Sequence, residues 1–338
     1  GWYGEKTHNL VMPGLDGLEK MAALMQSLRA QPPVEIGGVT VAQYKDYSDG
    51  TVRDAATGAV PPAKESFSSV FGAALTELAE EDPRVCAITA AMEDGTGLTP
   101  FAGRFPDRFF DVGIAEGHAA AMAAGLAKQG ALPVFAVYSS FLQRAYDQLL
   151  HDVALSGLHV VFAVDRAGLV GADGATHHGV MDTVFLSGIP NMTVLCPASF
   201  AELRAMLRRA LFEMTGPVAI RYPRGGEGAF TADTSAGDFA ELRTGKDITL
   251  CAYGTLINNV LGAAELLHED GIEARVVKLN RISPFRGGEL SRIFGTTKRL
   301  LVAEECSGVG CIGQRIAAIL AEAVSYTHLR AHETSAHL

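Results

Sequence analysis

A single glutamate stands between an apolar segment and an alanine-rich segment about a third of the way along the sequence. The stretch 111–130 reads DVGIAEGHAAAMAAGLAKQG, in which Glu116 precedes a run that favours a helix. A helix dipole stabilises a negative charge at such a position, so an N-terminal helix cap is one interpretation. A functional carboxylate is the other, because apolar neighbours exclude water and strengthen a hydrogen bond to the carboxylate. The position alone favours neither.

A second candidate is the glycine-rich stretch GADGATHHG at 171–179, which carries an aspartate and two adjacent histidines. It follows an apolar run, and Gly171 and Gly174 permit a tight turn. Ligand-binding residues of open α/β sheets collect at the carboxyl ends of strands, where Asp173 and His177 would lie. Adjacent histidines in a loop are more often solvated than catalytic, so both interpretations stay open.

Arginines near the ends of predicted strands form a third group of candidates. Arg144 lies within YSSFLQRAYDQ, while Arg221 and Arg224 belong to RYPRG. Guanidinium groups bind phosphate through paired hydrogen bonds, so these residues could clamp a phosphate. Most surface arginines have no such role, and the residues alone leave this alternative open.

The segment GVGCIG at 308–313 fits the pattern G-x-G-x-x-G and lies between a predicted strand and a predicted helix. No later strand ends in an acidic residue that would bind a ribose, so we favour a tight strand-to-helix turn over a nucleotide site. Cys306 lies just before this segment and Cys311 lies within it, and no second pair of ligands follows, so we expect free thiols and no metal.

Composition narrows the classes of protein that are possible. A chain of 338 residues suits two domains, and a formal net charge of -10 argues against a nucleic-acid binder. Lys128 and Gln129 interrupt the longest apolar run before it reaches the ~20 residues of a membrane span. Five scattered cysteines and no recognisable signal peptide predict a cytoplasmic protein that binds no membrane.

Short β-branched runs alternate with helical patterns along most of the chain, which predicts an α/β fold with a parallel sheet. The runs of the first domain are VCAIT, LPVFAV, LHVVFAVD, MTVLCP and VAIRYP. Ser199 and Glu202 have the spacing of a capping box at the start of one helix. A polar stretch at 231–244 precedes a second, smaller series, so we place one domain at 61–240 and another at 241–323.

Several long segments occur in an order that points to one family. They are ITAAMEDGTGL, FPDRFFDVGIAEGHA, YSSFLQRAYDQLLHDVAL, DRAGLVGADGATHHGVMD and RYPRG. Over about 66–323 the chain resembles the 1-deoxy-D-xylulose-5-phosphate synthases, thiamine-diphosphate enzymes of the transketolase superfamily. Transketolases and 2-oxoacid dehydrogenase β subunits share the glutamate but lack this combination of segments. The resemblance implies a pyrimidine-binding domain and a transketolase C-terminal domain.

The resemblance also assigns roles to individual residues. Glu116 matches the catalytic glutamate that binds the cofactor's aminopyrimidine and favours the imino tautomer, which deprotonates the thiazolium carbon. Phe141 matches the aromatic residue that stacks on the pyrimidine, Ile114 is counted with the cofactor-binding residues, and His177 matches a catalytic histidine facing the substrate. The expected substrate-binding residues are Tyr138, Arg144, Asp173 and Arg224. Many relatives carry glutamine where this chain has Gly117, which could loosen the turn that aims the carboxylate.

The implied reaction joins pyruvate, after decarboxylation, to glyceraldehyde 3-phosphate, giving 1-deoxy-D-xylulose 5-phosphate for isoprenoid and thiamine synthesis. The implied cofactors are thiamine diphosphate and magnesium, and the implied assembly is a homodimer. In the family a Gly-Asp-Gly motif on a further domain holds the metal, and the sequence contains no such motif; EDGTG at 93–97 is the nearest string. We therefore expect this chain to be inactive alone.

Both ends of the sequence are unusual. Residues 1–60 resemble an internal piece of the phosphoglucomutase/phosphomannomutase family, which suggests a chimeric chain, and residues 324–338 resemble a non-native tail. A genuine fusion with an accessory arm is the alternative. For the function, the alternatives are the C-terminal subunit of a split transketolase or of a dehydrogenase β-type enzyme, and a non-catalytic binding protein that kept the fold.

Overall fold

The structure is a computed structural model that describes residues 65–171, 173–285, 293 and 297–322, together with the backbone of four short strands before them. The chain divides into two compact units, 1–64 and 65–338. In the first unit, β1 (Val34–Ile36) pairs antiparallel with β2 (Val39–Val41), and β3 (Gln43–Lys45) with β4 (Val52–Asp54). The predicted mutase-like origin of 1–60 stays a prediction, and the predicted tail at 324–338 lies outside the described residues.

A seven-stranded sheet forms the centre of the second unit, as the alternating pattern predicts. Its strand order is β14-β9-β10-β8-β7-β5-β6, and the pairs are parallel except that of β14 with β9. The strands are β5 (Val85–Thr89), β6 (Phe109–Asp111), β7 (Leu132–Tyr138), β8 (Val161–Asp165), β9 (Thr193–Leu195), β10 (Val218–Arg221) and β14 (Arg281–Ser283). Its central strands are buried along their whole length, which explains their unbroken apolar sequences.

Helices cover both faces of this sheet. The helices α1 (Phe67–Glu81) and α7 (Phe200–Phe212) pack in one apolar cluster, and α2 (Thr99–Arg104) joins them. On the other face, α3 (Glu116–Lys128) buries a stripe of alanines, and α6 (Asp182–Gly188) packs in the same cluster. Small side chains let α3 lie close to the sheet and to the helical segment beside it.

An irregular helical segment follows β7 and carries two candidate site residues. It consists of α4 (Ser139–Leu142), a 3-10 turn (Gln143–Ala145), α5 (Tyr146–Gln148) and a π-helix (Leu149–Ala154). Phe141 lies on α4 and Arg144 on the turn, so both side chains start from the carboxyl end of a buried strand. Among the described helices, none is long and apolar enough to cross a membrane.

The smaller domain has a four-stranded sheet of order β11-β13-β12-β15. Its strands are β11 (Phe239–Arg243), β12 (Ile248–Tyr253), β13 (Ala274–Leu279) and β15 (Leu300–Ala303), and its helices are α8 (Ile257–Glu269) and α9 (Ile312–Glu322). The strand β14 extends the large sheet, which joins the two domains through backbone hydrogen bonds. A fully buried ion pair also joins them, with Lys278 Nζ 2.9 Å from Glu202 Oε2.

Candidate active site

Glu116 is the first residue of α3, and only 3% of its surface is exposed. Arg144 Nη1 donates a hydrogen bond to Glu116 Oε1 at 2.8 Å. Across the part of the chain that the structure describes, no backbone amide donates to this carboxylate, so Glu116 is not a side-chain cap of the helix. A buried carboxylate is costly to desolvate, and one partly exposed partner offsets only part of that cost.

Arg144 links the carboxylate to an aromatic group. Its side chain is 59% exposed, and its guanidinium carbon lies 5.3 Å from the centre of the Phe141 ring. The guanidinium is thus paired with Glu116 on the cofactor side of the predicted site. Its predicted contact with a substrate phosphate stays a prediction.

Three of the predicted site residues form an aromatic cluster. Tyr138 and Phe141 stack with ring centres 5.7 Å apart and planes 27° apart. The ring of His177 meets the edge of Phe141 at 5.2 Å and lies 6.3 Å from Tyr138. The structure therefore brings His177 into contact with two residues that precede it by more than thirty positions in the sequence.

The two adjacent histidines have different surroundings. The Nδ1 atom of His178 accepts a hydrogen bond from the backbone amide of Val170 at 2.8 Å, which braces the loop internally. That bond requires an unprotonated Nδ1. His177 instead contacts the aromatic cluster, and its Nδ1 lies 3.0 Å from Thr176 Oγ1. Of the two histidines, His177 is thus the one that contacts the aromatic cluster, and its predicted contact with the substrate stays a prediction.

Asp173 lies between two arginines. Its Oδ1 is 2.9 Å from Arg224 Nη1, and its Oδ2 accepts from Arg166 Nε at 3.0 Å. Arg166 also donates to the Gly95 carbonyl at 2.8 Å and lies 3.7 Å above the Tyr138 ring. Sequence reasoning missed Arg166, although its place directly after the apolar run LHVVFAVD was a usable signal.

Asp165 lies beneath this cluster and is fully buried. Burial raises the pKa of its carboxyl to about 6, although Arg166 and the Ser68 hydroxyl oppose the shift. Ser68 donates to Oδ2 at 2.6 Å, and the amide of Arg166 donates to Oδ1 at 2.6 Å. Arg166 has a φ of +57°, and these bonds help to hold that strained backbone.

A cleft of about 800 Å³ opens beside these residues. Its lining includes Ser68, Gly95, Arg166 and Arg224. Two guanidinium groups at the wall of one cleft are suited to an anionic ligand. Ile114, predicted to contact the cofactor, is 80% exposed on the loop before Glu116.

Two motifs have structural partners within the protein. The Nε atom of Arg221 donates to Asp182 at 2.8 Å within the buried core, so this arginine is not open to a phosphate. At the GVGCIG turn, the Glu304 carboxylate accepts from the amides of Ile312 and Gly313 at 3.0 and 2.8 Å. It occupies the helix N-terminus that a nucleotide phosphate would need.

Comparisons with known proteins identify the two domains. Residues 63–226 match the family described as "Transketolase, pyrimidine binding domain", and residues 237–335 match "Transketolase, C-terminal domain". The chain is 50% identical over 273 residues to the 1-deoxy-D-xylulose-5-phosphate synthase of Desulforudis audaxviator, covering 79% of this chain and 43% of that protein. The enzyme of the same name from Chlorobaculum tepidum is 49% identical over 273 residues, covering 79% and 42%. The chain thus spans less than half the length of these curated relatives.

Solved structures show the same fold. A transketolase from Pichia stipitis superposes with a TM-score of 0.62 at 19% identity, covering 74% of this chain and 40% of that one. A structure described as "Split gene transketolase, inactive beta4 tetramer" has a TM-score of 0.70 at 32% identity, covering 79% of this chain and 86% of that one. Because both domains match and this last relative is covered over most of its length, the chain belongs to the transketolase family.

Proposed function

We propose that the chain supplies the pyrimidine side and the acceptor side of a thiamine-diphosphate enzyme that makes 1-deoxy-D-xylulose 5-phosphate. The proposed substrates are pyruvate and glyceraldehyde 3-phosphate. The observation that carries the proposal is the buried Glu116 carboxylate beside Arg144, whose guanidinium in turn lies against Phe141. The named relatives at 49 and 50% identity support this substrate pair over others in the superfamily.

The residues present fit the pyrimidine half of the cofactor. Only Oε1 of Glu116 accepts a hydrogen bond within the described part of the chain, so Oε2 is left to accept one from a ring nitrogen. A carboxylate there would hold a proton on that nitrogen, and burial would strengthen the bond. Phe141 offers an aromatic edge or face at the same place. When bound, thiamine diphosphate supplies the electron sink for breaking the bond next to the pyruvate carbonyl.

The acceptor side of the proposed site is the cleft whose wall contains the two arginines paired with Asp173. Arg166 and Arg224 line it and would bind a phosphate through charge-assisted hydrogen bonds, while Asp173 holds the two guanidinium groups in place. His177 lies against Phe141 and Tyr138, where its imidazole could donate or accept a proton on a substrate oxygen. These residues would orient an aldehyde phosphate toward the aromatic cluster.

The rest of the proposed enzyme lies outside the two matched domains. We propose that magnesium and the cofactor's diphosphate are held by a further domain, that this chain is inactive without it, and that the assembly is a cytoplasmic homodimer. Among the described residues, no group of His, Cys, Asp or Glu side chains is arranged to hold a metal. The length of the curated relatives, of which the chain covers less than half, supports a further domain.

Product formation from pyruvate and glyceraldehyde 3-phosphate tests the proposal. The chain would be assayed alone, and after its residues 65–338 are joined to the remaining part of the Desulforudis audaxviator relative. We expect product only from the joined enzyme. Product that persists at the full rate in the joined Glu116→Gln variant, or a correctly folded joined enzyme without any product, would contradict the proposal.

A split transketolase is the second candidate, and the solved split-gene transketolase favours it because the chain covers 86% of that subunit. The donor substrate separates the two. Turnover of a ketose phosphate donor in place of pyruvate, in complex with a separate diphosphate-binding chain, would support the split enzyme.

A further inference from the structure

We infer that the smaller domain positions the substrate-side loop of the proposed site, and that the Glu305 side chain restrains the base of this loop. The loop leaves β8 and returns at α6, and it carries Asp173 and His177. The inference deepens the proposed function, because it concerns the same loop. The contacts that carry it belong to the connection between β15 and α9.

The loop has a narrow base made of two glycines. The amide of Gly168 donates to the Gly179 carbonyl at 2.9 Å, and the amide of Gly179 donates to the Gly168 carbonyl at 2.8 Å. Gly168 has a φ of +82°, which favours glycine. A Cβ on Gly179 would clash with Arg166 and Ser139. A displacement of this base would therefore displace both Asp173 and His177.

The Glu305 carboxylate is in direct contact with the base of the loop. Its Oε2 accepts a hydrogen bond from the amide of Leu169 at 3.4 Å, and it leaves no room for a Cβ on Gly168. The bond is long and weak by itself, but the close approach restricts the position of the backbone. Glu305 thus contacts the first residues of the loop from the other domain.

The same connection also holds the far end of the loop. The amide of Ser307 donates to the Val180 carbonyl at 2.8 Å. A Cβ on Gly310 would lie 3.0 Å from Val184 Cγ1, so the turn packs closely on α6. The connection between β15 and α9 in the smaller domain therefore contacts the loop at both ends.

The connection between β15 and α9 is itself held in place by hydrogen bonds. Glu304, next to Glu305, accepts hydrogen bonds from Tyr253 Oη at 2.9 Å and from two amides at the start of α9. Arg221 lies 5.3 Å from the Tyr253 ring and donates to Asp182, the first residue of α6. These contacts form a continuous path from α6 to the smaller domain. Glu305 is a positioning residue, since its described contacts are with loop backbone.

Amide hydrogen exchange of the loop tests this inference on the chain alone, without cofactor or substrate. In Glu305→Ala we expect roughly fivefold to tenfold faster exchange over 168–181, which corresponds to losing one backbone contact and its packing. Glu305→Gln keeps an acceptor oxygen and should restore most of the protection. The thermal midpoint should be unchanged in both variants. Glu269→Ala, at the exposed end of α8, is the matched control and should leave the loop unchanged.

Unchanged exchange over 168–181 in Glu305→Ala would overturn the inference. Equal losses of protection in Glu305→Ala and Glu305→Gln, or faster exchange spread over the whole chain, would do the same. The measurement involves no turnover, so its failure is distinguishable from failure of the proposed function.

Discussion

Two clusters of opposite charges sit in the second unit, and they differ in how fully they are closed. At the domain junction, Lys278 and Glu202 are both completely buried, and Glu202 also accepts from the Ala198 amide and the Thr234 hydroxyl. At the cleft, Asp173 joins Arg166 to Arg224, whose side chain is 40% exposed. A charge cluster that is fully buried and fully hydrogen-bonded (a closed cluster) favours one structure. A partly exposed cluster (an open cluster) leaves hydrogen-bond donors available to a ligand.

The largest expected effect on stability comes from removing one partner of the buried ion pair in the closed cluster. Lys278→Met leaves the Glu202 carboxylate buried without its charge partner and should lower the free energy of unfolding by about 3–5 kcal/mol. Denaturant unfolding followed by circular dichroism measures this change. The matched control is Lys246→Met at an exposed position, which should have little effect. Equal stabilities of the two variants would show that the junction pair contributes nothing.

The buried Asp165 beneath the open cluster should give a pH dependence. Its folded pKa of about 6 lies above the usual 3.8, so the folded state holds a proton that the unfolded state releases. Its contribution to the free energy of unfolding therefore falls by about 3 kcal/mol as the pH rises from 3.8 to 6. Asp165→Asn removes this fall, so the variant should gain stability relative to wild type between pH 4 and pH 7. Parallel stability curves for the two proteins would contradict the assignment.

A substitution in the open cluster should change the affinity for an anion more than it changes the stability of the fold. Arg224→Gln should weaken binding of inorganic phosphate about tenfold, the loss of one charge-assisted pair, while leaving the midpoint of unfolding nearly unchanged. Isothermal titration calorimetry measures the affinity. Arg204→Gln, whose arginine pairs with Glu77 on the exposed surface of α7, is the control. Equal phosphate affinities for the two variants would rule out Arg224 as an anion ligand.

The smallest effect is expected at an ion pair on the protein surface, whose two side chains are 53% and 50% exposed. Arg208 and Glu81 form two hydrogen bonds of 2.8 Å between α7 and α1. Solvent screens such a pair, so Arg208→Ala should leave the midpoint of thermal unfolding within error of wild type. A clear drop in the midpoint would show that geometry outweighs burial in this protein.

The fold class was accessible from the sequence because central parallel strands are apolar along their whole length and alternate with amphipathic helices. The resemblance supplied the family. Local signals were less complete: the Ser199 side chain does cap α7, but the Glu202 carboxylate that should complete the box instead binds Lys278 and Thr234. No local pattern encodes a partner from another domain.

The candidate site was predicted in part. His177, Phe141 and Tyr138 do come together, since Tyr138 ends β7, Phe141 follows that strand, and His177 lies on the loop after the neighbouring strand β8. The pairing of Arg144 with Glu116 was not foreseen, because it depends on the irregular turn after β7 placing the guanidinium over the start of α3. Arg166 was missed because two of its contacts, with Gly95 and the Tyr138 ring, are distant in the sequence, and because the residue type does not suggest its backbone φ of +57°.

The most direct test of the central claim is the rate at which the thiazolium C2 proton of thiamine diphosphate exchanges with deuterated water. It would be measured by NMR on the chain joined to a diphosphate-binding domain, for wild type and Glu116→Gln. If the buried Glu116 carboxylate activates the cofactor, the variant should exchange at least about a hundredfold more slowly. Equal exchange rates in the two proteins, both with bound cofactor, would contradict the account.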